Sequence, residues 1–423
     1  MQDESGQKQG HRIVLGVGGG IAAYKACHVV RDLKEAGDDV RVIPTESALK
    51  FVGAATFEAL SGHPVSTTVF DAVDEVQHVR LGQEADLIVI APATADLLAR
   101  LAGGRADDLL TASVLVATCP VLIVPAMHTE MWFNPATRRN VEILRGYGYT
   151  VMEPAHGRLT GKDTGPGRLP EPEQIADLAR TLAAGFTVPH SWAGLNVLIS
   201  AGGTQEPIDP VRFIGNRSSG RQGFALAEIA AQRGASVTLV AGDTAQLPTP
   251  PGAKVIRVRS TGEMKEAMDD RAAGADVIIM AAAVADFRPQ TAAATKMKKG
   301  SESAAGLTSI EMIENPDILA GLVQSRRDGE LQRATTIVGF AAETGDERTS
   351  ALEYAKAKLA RKGCDLLMAN DVSGDAVFGK LRNRGWLLSA DGTVAEVRDG
   401  TKLDVAAQIL AAVDAHRTRS LPN

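Results

Sequence analysis

Ile13-Val14-Leu15-Gly16-Val17-Gly18-Gly19-Gly20-Ile21-Ala22-Ala23 is the stretch that decides the fold. Its first five residues form a short, β-branched-rich apolar run of the kind buried in a parallel sheet. Three glycines follow, and the amphipathic pattern Ala22–Ala36 begins at once, so the stretch predicts a strand, a tight turn and a helix. Val40–Ile43, Leu87–Ala91 and Val121–Val124 repeat the apolar run, with helical patterns at Ala95–Leu101, Ala136–Arg145 and Pro172–Ala184. Strand then helix, repeated, predicts a doubly wound α/β layer.

Gly185-Phe186-Thr187-Val188-Pro189-His190-Ser191-Trp192-Ala193-Gly194 is rich in breakers and lacks periodicity. It divides the chain into domains 1–185 and 195–423, with 186–194 as linker. The pattern then restarts. Val197–Ser200, Val237–Ala241, Val255–Val258, Val277–Ala281, Thr336–Phe340 and Leu366–Ala369 read as strands. Phe224–Arg233, Glu263–Ala272, Asp317–Gln324 and Ser350–Lys362 read as helices. Trp386–Ser389 and Thr393–Val397 flank Asp391-Gly392 as a hairpin, and a last helix covers Leu403–His416. Both halves open alike, the second on Gly202-Gly203, so the expected fold class is α/β with two Rossmann-like domains.

Composition narrows the function. A chain of 423 residues exceeds one ordinary core and suits two domains. A net charge of −6 argues against a nucleic-acid-binding surface. No apolar run approaches the roughly 18 residues of a membrane span, and the polar N-terminus has no signal-peptide core. Three cysteines, Cys27, Cys119 and Cys364, make no disulfide framework, which suits a reducing, cytoplasmic setting.

Gly18-Gly19-Gly20 leaves two readings open: a bare βα turn, or a backbone cradle for a mononucleotide phosphate at a helix N-terminus. It is no dinucleotide fingerprint, because Ile21 stands at the third glycine position. Ala91-Pro92-Ala93-Thr94-Ala95-Asp96 and Pro125-Ala126-Met127-His128 each follow a strand, where α/β sheets bind ligands. Together these motifs resemble the homo-oligomeric flavin-containing cysteine decarboxylases over roughly residues 12 to 185. The resemblance implies a flavodoxin-like domain holding FMN, its phosphate at Gly19 and Gly20 near Thr45 and its ring near Pro92, Thr94 and Asp96. It also implies a catalytic histidine at His78. A carboxylate cannot leave an ordinary cysteinyl group, since the carbanion has no sink; oxidising the thiol to a thioaldehyde supplies one. The sequence departs from that family twice. His128 replaces the usual asparagine, and in the Gly- and Pro-rich flap 157–168 Gly161 stands where the proton-donating cysteine is expected. The flap still reads as a mobile lid.

In the second half, Arg212 and Arg217 offer fork donors within the long polar segment 201–220. Ala281-Ala282-Ala283-Val284-Ala285-Asp286 ends a buried strand, Glu314-Asn315-Pro316-Asp317-Ile318 starts a helix, and Lys358 and Lys362 share a helix face. Singly, each feature also reads as a capped loop or a solvated charge. Together they resemble phosphopantothenate–cysteine ligases from about Leu195 to Ala412. That resemblance implies CTP at Ala281, Ala282, Ala283, Asp286, Lys296, Pro316, Asp317, Ile318, Leu319, Phe340, Lys358 and Lys362. It places phosphopantothenate and its acyl-cytidylate at Arg212 and Asn216, with Lys296 stabilising phosphoryl charge. No CxxC or HxxxH cage occurs, so the implied metal is Mg²⁺ held largely by phosphates.

The two resemblances imply consecutive steps of coenzyme A biosynthesis: CTP-dependent coupling of cysteine to 4'-phosphopantothenate, then decarboxylation of the product to 4'-phosphopantetheine. They also imply decarboxylase trimers and ligase dimers combining to a dodecamer, with no nucleic acid or membrane partner. Two rivals stay open. One is a flavin-binding regulatory protein fused to an active ligase, which the missing flap cysteine favours. The other is a nicotinamide oxidoreductase, which the glycine spacing and Pro44-Thr45 after the second strand disfavour.

Overall fold

A computed structural model describes residues 10–68, 77–158, 163–297, 309–343, 349–371 and 382–420. The chain forms two compact units, Met1–Ser191 and Trp192–Asn423.

The first unit is built on five parallel strands: β1 (Arg12–Val17), β2 (Asp39–Pro44), β3 (Leu87–Ala93), β4 (Val121–Pro125) and β5 (Thr150–Val151). Their order is β2-β1-β3-β4-β5, the flavodoxin-like arrangement expected. β3 and β4 are buried at every position, which is why their sequences read as unbroken apolar runs and not as alternation. Helices α1 (Ala23–Glu35), α2 (Ala54–Ser61), α3 (Gln77–Glu84), α4 (Ala95–Ala102), α5 (Leu109–Leu115), α6 (Thr129–Phe133), α7 (Pro135–Gly146) and α8 (Pro172–Ala183) complete it. α1 turns Ala23, Ala26, Val29, Val30 and Leu33 inward, an i, i+3, i+4 stripe. The apolar pattern predicts none of α2, α3 and α5. Each has seven or eight residues, about two turns, too few for a 3.6-residue period to stand out. β6 (Ala155–Arg158) and β7 (Thr164–Arg168) pair antiparallel as the two arms of the flap. Its tip, with Gly161 and Lys162, lies outside the described residues.

The second unit begins with β8 (Asn196–Ala201), β9 (Gln205–Pro207), β10 (Phe213–Gly215) and α9 (Arg221–Gln232). β11 (Ser236–Ala241), β12 (Ala253–Arg257), α10 (Thr261–Ala272), β13 (Val277–Met280), β14 (Phe287–Pro289) and β15 (Met312–Glu314) follow. β16 (Thr336–Glu343), β17 (Leu366–Asp371), β18 (Arg382–Ser389) and β19 (Val394–Thr401) finish the sheet. Its order is β12-β11-β8-β13-β16-β17-β18-β19. The first six strands are parallel and run 3-2-1-4-5-6 when only the strands of this sheet are counted, the Rossmann order. The hairpin β18–β19 adds antiparallel strands at one edge, longer than the sequence suggests.

Two features depart from the expectation. The segment 201–220, read as a polar loop, carries the antiparallel ribbon β9–β10, and β14–β15 form a second ribbon. Trp192, read as linker, is fully buried within the second unit. Its N–H donates to the Arg233 carbonyl at 2.8 Å and its Nε1–H to Asp414 at 3.2 Å. The Arg233 guanidinium lies 5.1 Å from the ring centroid.

Candidate functional site

In each unit several of the candidate residues, though not His78, lie where strand order reverses, outside the carboxyl ends of the strands. In the first unit that point lies between β1 and β3. The Gly18 N–H donates to the Pro92 carbonyl at 3.0 Å, and the Thr45 N–H to Val17 at 2.9 Å. These bonds draw the turns after β1, β2 and β3 together, and with them Gly19, Gly20, Thr45, Pro92 and Thr94. The closeness demands glycine: a Cβ on Gly18 would lie 2.5 Å from the Pro92 oxygen, and one on Gly19 2.3 Å from Ser47 Cβ. A Cβ on Gly20 would meet only Thr94 Cγ2, at 3.9 Å, so the backbone is open there. No side chain caps α1, whose positive N-terminal end follows. Thr94 caps α4 by accepting from the Leu97 N–H, and Asp96 is exposed in the first turn. This open backbone at a helix start, ringed by small polar side chains, fits the phosphate end of a mononucleotide.

His128 is exposed at the start of α6, and the flap is fastened on either side of it. The Met127 N–H donates to Gly167 at 2.9 Å, and the Thr129 hydroxyl to Pro166 at 2.8 Å. Gly167 has φ +137°, and a Cβ there would fall 2.2 Å from the Met127 oxygen, so the attachment requires glycine. Arg168, closing the flap, pairs with Glu171, which also holds Lys25 of α1 at 3.1 Å. The structure thus ties the flap to the helix that follows the glycine turn. His78 lies on α3 and joins none of these residues by a hydrogen bond or ion pair. Its Nδ1 is sealed and without a partner among the described residues.

In the second unit the reversal lies between β8 and β13. The Ala283 N–H donates to Gly202 at 2.8 Å, while Gly203 and Asp243 exchange two backbone bonds of 2.9 and 2.7 Å. A Cβ on Gly203 would sit 2.5 Å from the Asn216 oxygen. Asn216 in turn donates through Nδ2 to the Val284 carbonyl at 2.8 Å, one residue past the Ala281–Ala283 segment. The Asn315 N–H donates to the Asp286 carbonyl at 2.8 Å, bringing Pro316 and Asp317 alongside. Asp317 caps the helix Ile318–Arg327 and pairs with Lys362. Burial works to raise the Asp317 carboxyl, but the Lys362 ammonium and the Ala320 N–H outweigh it and hold its pKa below the usual carboxylate range. Ile318 and Leu319 are buried in the core, so only their backbone can meet a ligand. Phe340 is half-buried in β16, Lys358 half-buried near Lys362, and Lys296 exposed.

Comparison with known proteins decides the family. Residues 1–183 match the Flavoprotein family, and residues 192–416 match the DNA/pantothenate metabolism flavoprotein C-terminal domain. The coenzyme A biosynthesis bifunctional protein CoaBC of Mycolicibacterium smegmatis is 59% identical over 96% of this chain and 97% of its own. That of Mycobacterium tuberculosis is 58% identical over 95% and 96%, and that of Escherichia coli 44% over 86% and 87%. The chain belongs to the coenzyme A biosynthesis bifunctional proteins. Members of this family unite a ligase and a decarboxylase activity in one chain, and this chain is such an enzyme. Among its described residues no group of three or more His, Cys, Asp or Glu side chains could hold a metal ion. Among the described residues no helix is long and apolar enough to cross a membrane.

The structure of this family member gives Arg212 a partner that the sequence reading missed. Asp209, fully buried, accepts from Arg212 Nε at 3.0 Å and Nη2 at 2.6 Å, and Nη2 also donates to the Met297 carbonyl at 2.7 Å. Burial alone would raise the Asp209 carboxyl. The N–H groups of Val211, Arg212 and Met297 and the guanidinium overcome it and hold the pKa at about 2. The i, i+3 spacing of Asp209 and Arg212 was the available signal. Arg212 is therefore oriented before any ligand arrives, with Nη1 free among the described residues. A depressed carboxyl pKa contributes stability that is complete above the unfolded value near 4 and lost as pH falls through the folded one. Asp209→Asn is expected to be less stable than the parent at neutral pH, the gap closing between about pH 4 and 2 in urea melts. A gap that stays constant with pH would show that Asp209 acts through packing alone.

Proposed function

We propose that this enzyme couples cysteine to 4'-phosphopantothenate with CTP in its second unit, and decarboxylates 4'-phosphopantothenoylcysteine with FMN in its first. The observation that carries this reading is the pair of strand-order reversals. One is built around an open glycine cradle; the other brings Asn216 onto Val284, the residue that follows the Ala281–Ala283 segment. Incubation with phosphopantothenate, CTP, Mg²⁺ and cysteine, followed by mass, should show CMP, pyrophosphate and phosphopantetheine. Consumption of ATP in place of CTP would overturn the nucleotide assignment.

In the ligase unit the substrate carboxylate is a poor electrophile and must first displace pyrophosphate from the nucleotide. Lys296, Lys358 and Lys362 carry the positive charge that this step needs, with Mg²⁺ held largely by the triphosphate. Asn216 and Arg212 position the acyl group. In the decarboxylase unit Gly19, Gly20 and Thr45 would hold the FMN phosphate, and Pro92, Thr94 and Asp96 the ring side. Bound FMN supplies the oxidation of the thiol that gives the departing carboxylate an electron sink. His128 faces solvent beside the flap and is the proton donor to the carbanion-like centre left after carbon dioxide departs. His78 is the base or electrostatic partner of the earlier oxidation.

His128→Asn is expected to accumulate an enethiol product with the flavin left reduced, while His78→Asn blocks flavin reduction. The two are separated by flavin absorbance and product mass. Normal phosphopantetheine formation by His128→Asn would remove it as the donor. Exposed Ile21, Tyr24, Phe51, Met131 and Phe133 on the first unit support subunit contacts there, as the trimer assignment requires.

A further inference from the structure

The second unit holds a cavity of about 420 Å³ in which, Pro316 apart, no lining residue has a role above. Glu206, Pro207, Ser260, Arg288, Asn315 and Pro316 line it, between β9, the start of α10 and the β14–β15 ribbon. Glu206 is a carboxylate only 2% exposed. Its Oε1 accepts from the Thr261 N–H at 2.8 Å and from the Thr261 hydroxyl at 2.7 Å. Its Oε2 takes no donor among the described residues, and Glu206 lines the cavity. Arg288 spends only Nη1 on the protein, donating to Glu314 at 3.1 Å and to Asn315 at 2.9 Å. Nε and Nη2 stay free among the described residues and form a fork suited to a carboxylate. One cavity thus offers an open anion and an open guanidinium.

We propose that this cavity binds the amino-acid substrate of the ligase as its zwitterion, with the ammonium group on Glu206 Oε2 and the carboxylate on Arg288. The proposal rests on the ligase reading given above. Of the three substrates in that reading, only cysteine carries an ammonium group, and a buried carboxylate repels the phosphates of the other two. A metal ion is disfavoured by the adjacent guanidinium and by the lack of further acidic ligands among the described residues. The location suits the chemistry. Glu206 pairs across the ribbon with Ile214, two residues before Asn216, and Pro316 leads into the nucleotide-side helix. Cysteine nitrogen forms the acyl C–N bond as the acyl C–O bond to CMP breaks. The ammonium loses one proton before attack and one after, and Glu206 Oε2 passes both to solvent.

The test uses the full chain and two variants. Glu206→Gln keeps the acceptor that holds Thr261 and removes the charge. Pyrophosphate release from CTP and phosphopantothenate without cysteine is expected to stay within about twofold of the parent, while kcat/KM for cysteine falls about thirtyfold or more. Arg288→Gln is expected to abolish the preference for cysteine over cysteamine, which lacks the carboxylate. Unchanged cysteine KM in Glu206→Gln together with an unchanged cysteine to cysteamine ratio in Arg288→Gln would overturn the site. Loss of pyrophosphate release in Glu206→Gln would overturn it too. Absence of that release in the parent protein would sink the ligase reading itself, a separate result.

Discussion

Trp192→Ala is expected to destabilise the second unit by about 3–5 kcal/mol, the usual cost of removing a fully buried Trp from a packed core. That is a large part of the roughly 5–15 kcal/mol that holds a domain folded. The ring is fully buried, stacks on the Arg233 guanidinium and donates to Asp414. Its loss also strips cover from Arg233, whose side chain is 4% exposed and donates at 2.7 Å to the Leu410 carbonyl. Scanning calorimetry should show the ligase transition lowered by roughly 6–20 °C with the flavin transition unmoved. Trp192→Phe should recover most of the loss, since the ring stays and only the Nε1–H bond goes. A separated ligase unit should accordingly fold when begun at Ser191 and be unstable when begun at Leu195. Equal melting of the two would show that Trp192 is an ornament of the linker.

Lys296→Ala is expected to reduce acyl-cytidylate formation about a hundredfold. A preorganised charge aimed at a transferring phosphoryl group contributes roughly 3 kcal/mol to the barrier. Lys296 is exposed and has no acidic partner among the described residues, so its removal leaves no buried charge unpaired and the fold should be intact. Lys362 is different, because its ammonium pairs with Asp317, the cap of the following helix. Lys362→Ala should therefore cost stability as well as rate. The measurement is pyrophosphate release before cysteine is added, with circular dichroism as the control. A Lys296→Ala variant that releases pyrophosphate at the parent rate would remove Lys296 from the nucleotide site.

The architecture was legible because the signals that specify it are local. A run such as Ile13–Val17 fits a strand buried on both faces, and three glycines between it and an amphipathic helix mark a βα turn. Read twice along the chain, that unit predicts two parallel sheets, and both are present. Motifs at strand ends were legible for the same reason, since the fold itself places strand ends at the ligand edge. The short helices α2, α3 and α5 were not, because two turns carry too little periodicity.

What tertiary structure alone decided are the pairings between distant positions. Trp192 lies in a stretch whose local composition says linker, yet it is core, because Arg233, at the end of α9, and Asp414, in the last helix, come from far along the chain. Arg212 reads as a free cation until Asp209 is seen buried beneath it with Met297 closing the cluster. Glu206 reads as one polar residue in a loop. Only folding sets one of its oxygens on the start of α10 and places it in one cavity with Arg288, residues 55 and 82 positions away. Periodicity and motifs report what each segment does by itself. The partner of a buried charge is set by which segments the sheet order brings together, and that information exists only once the chain has closed.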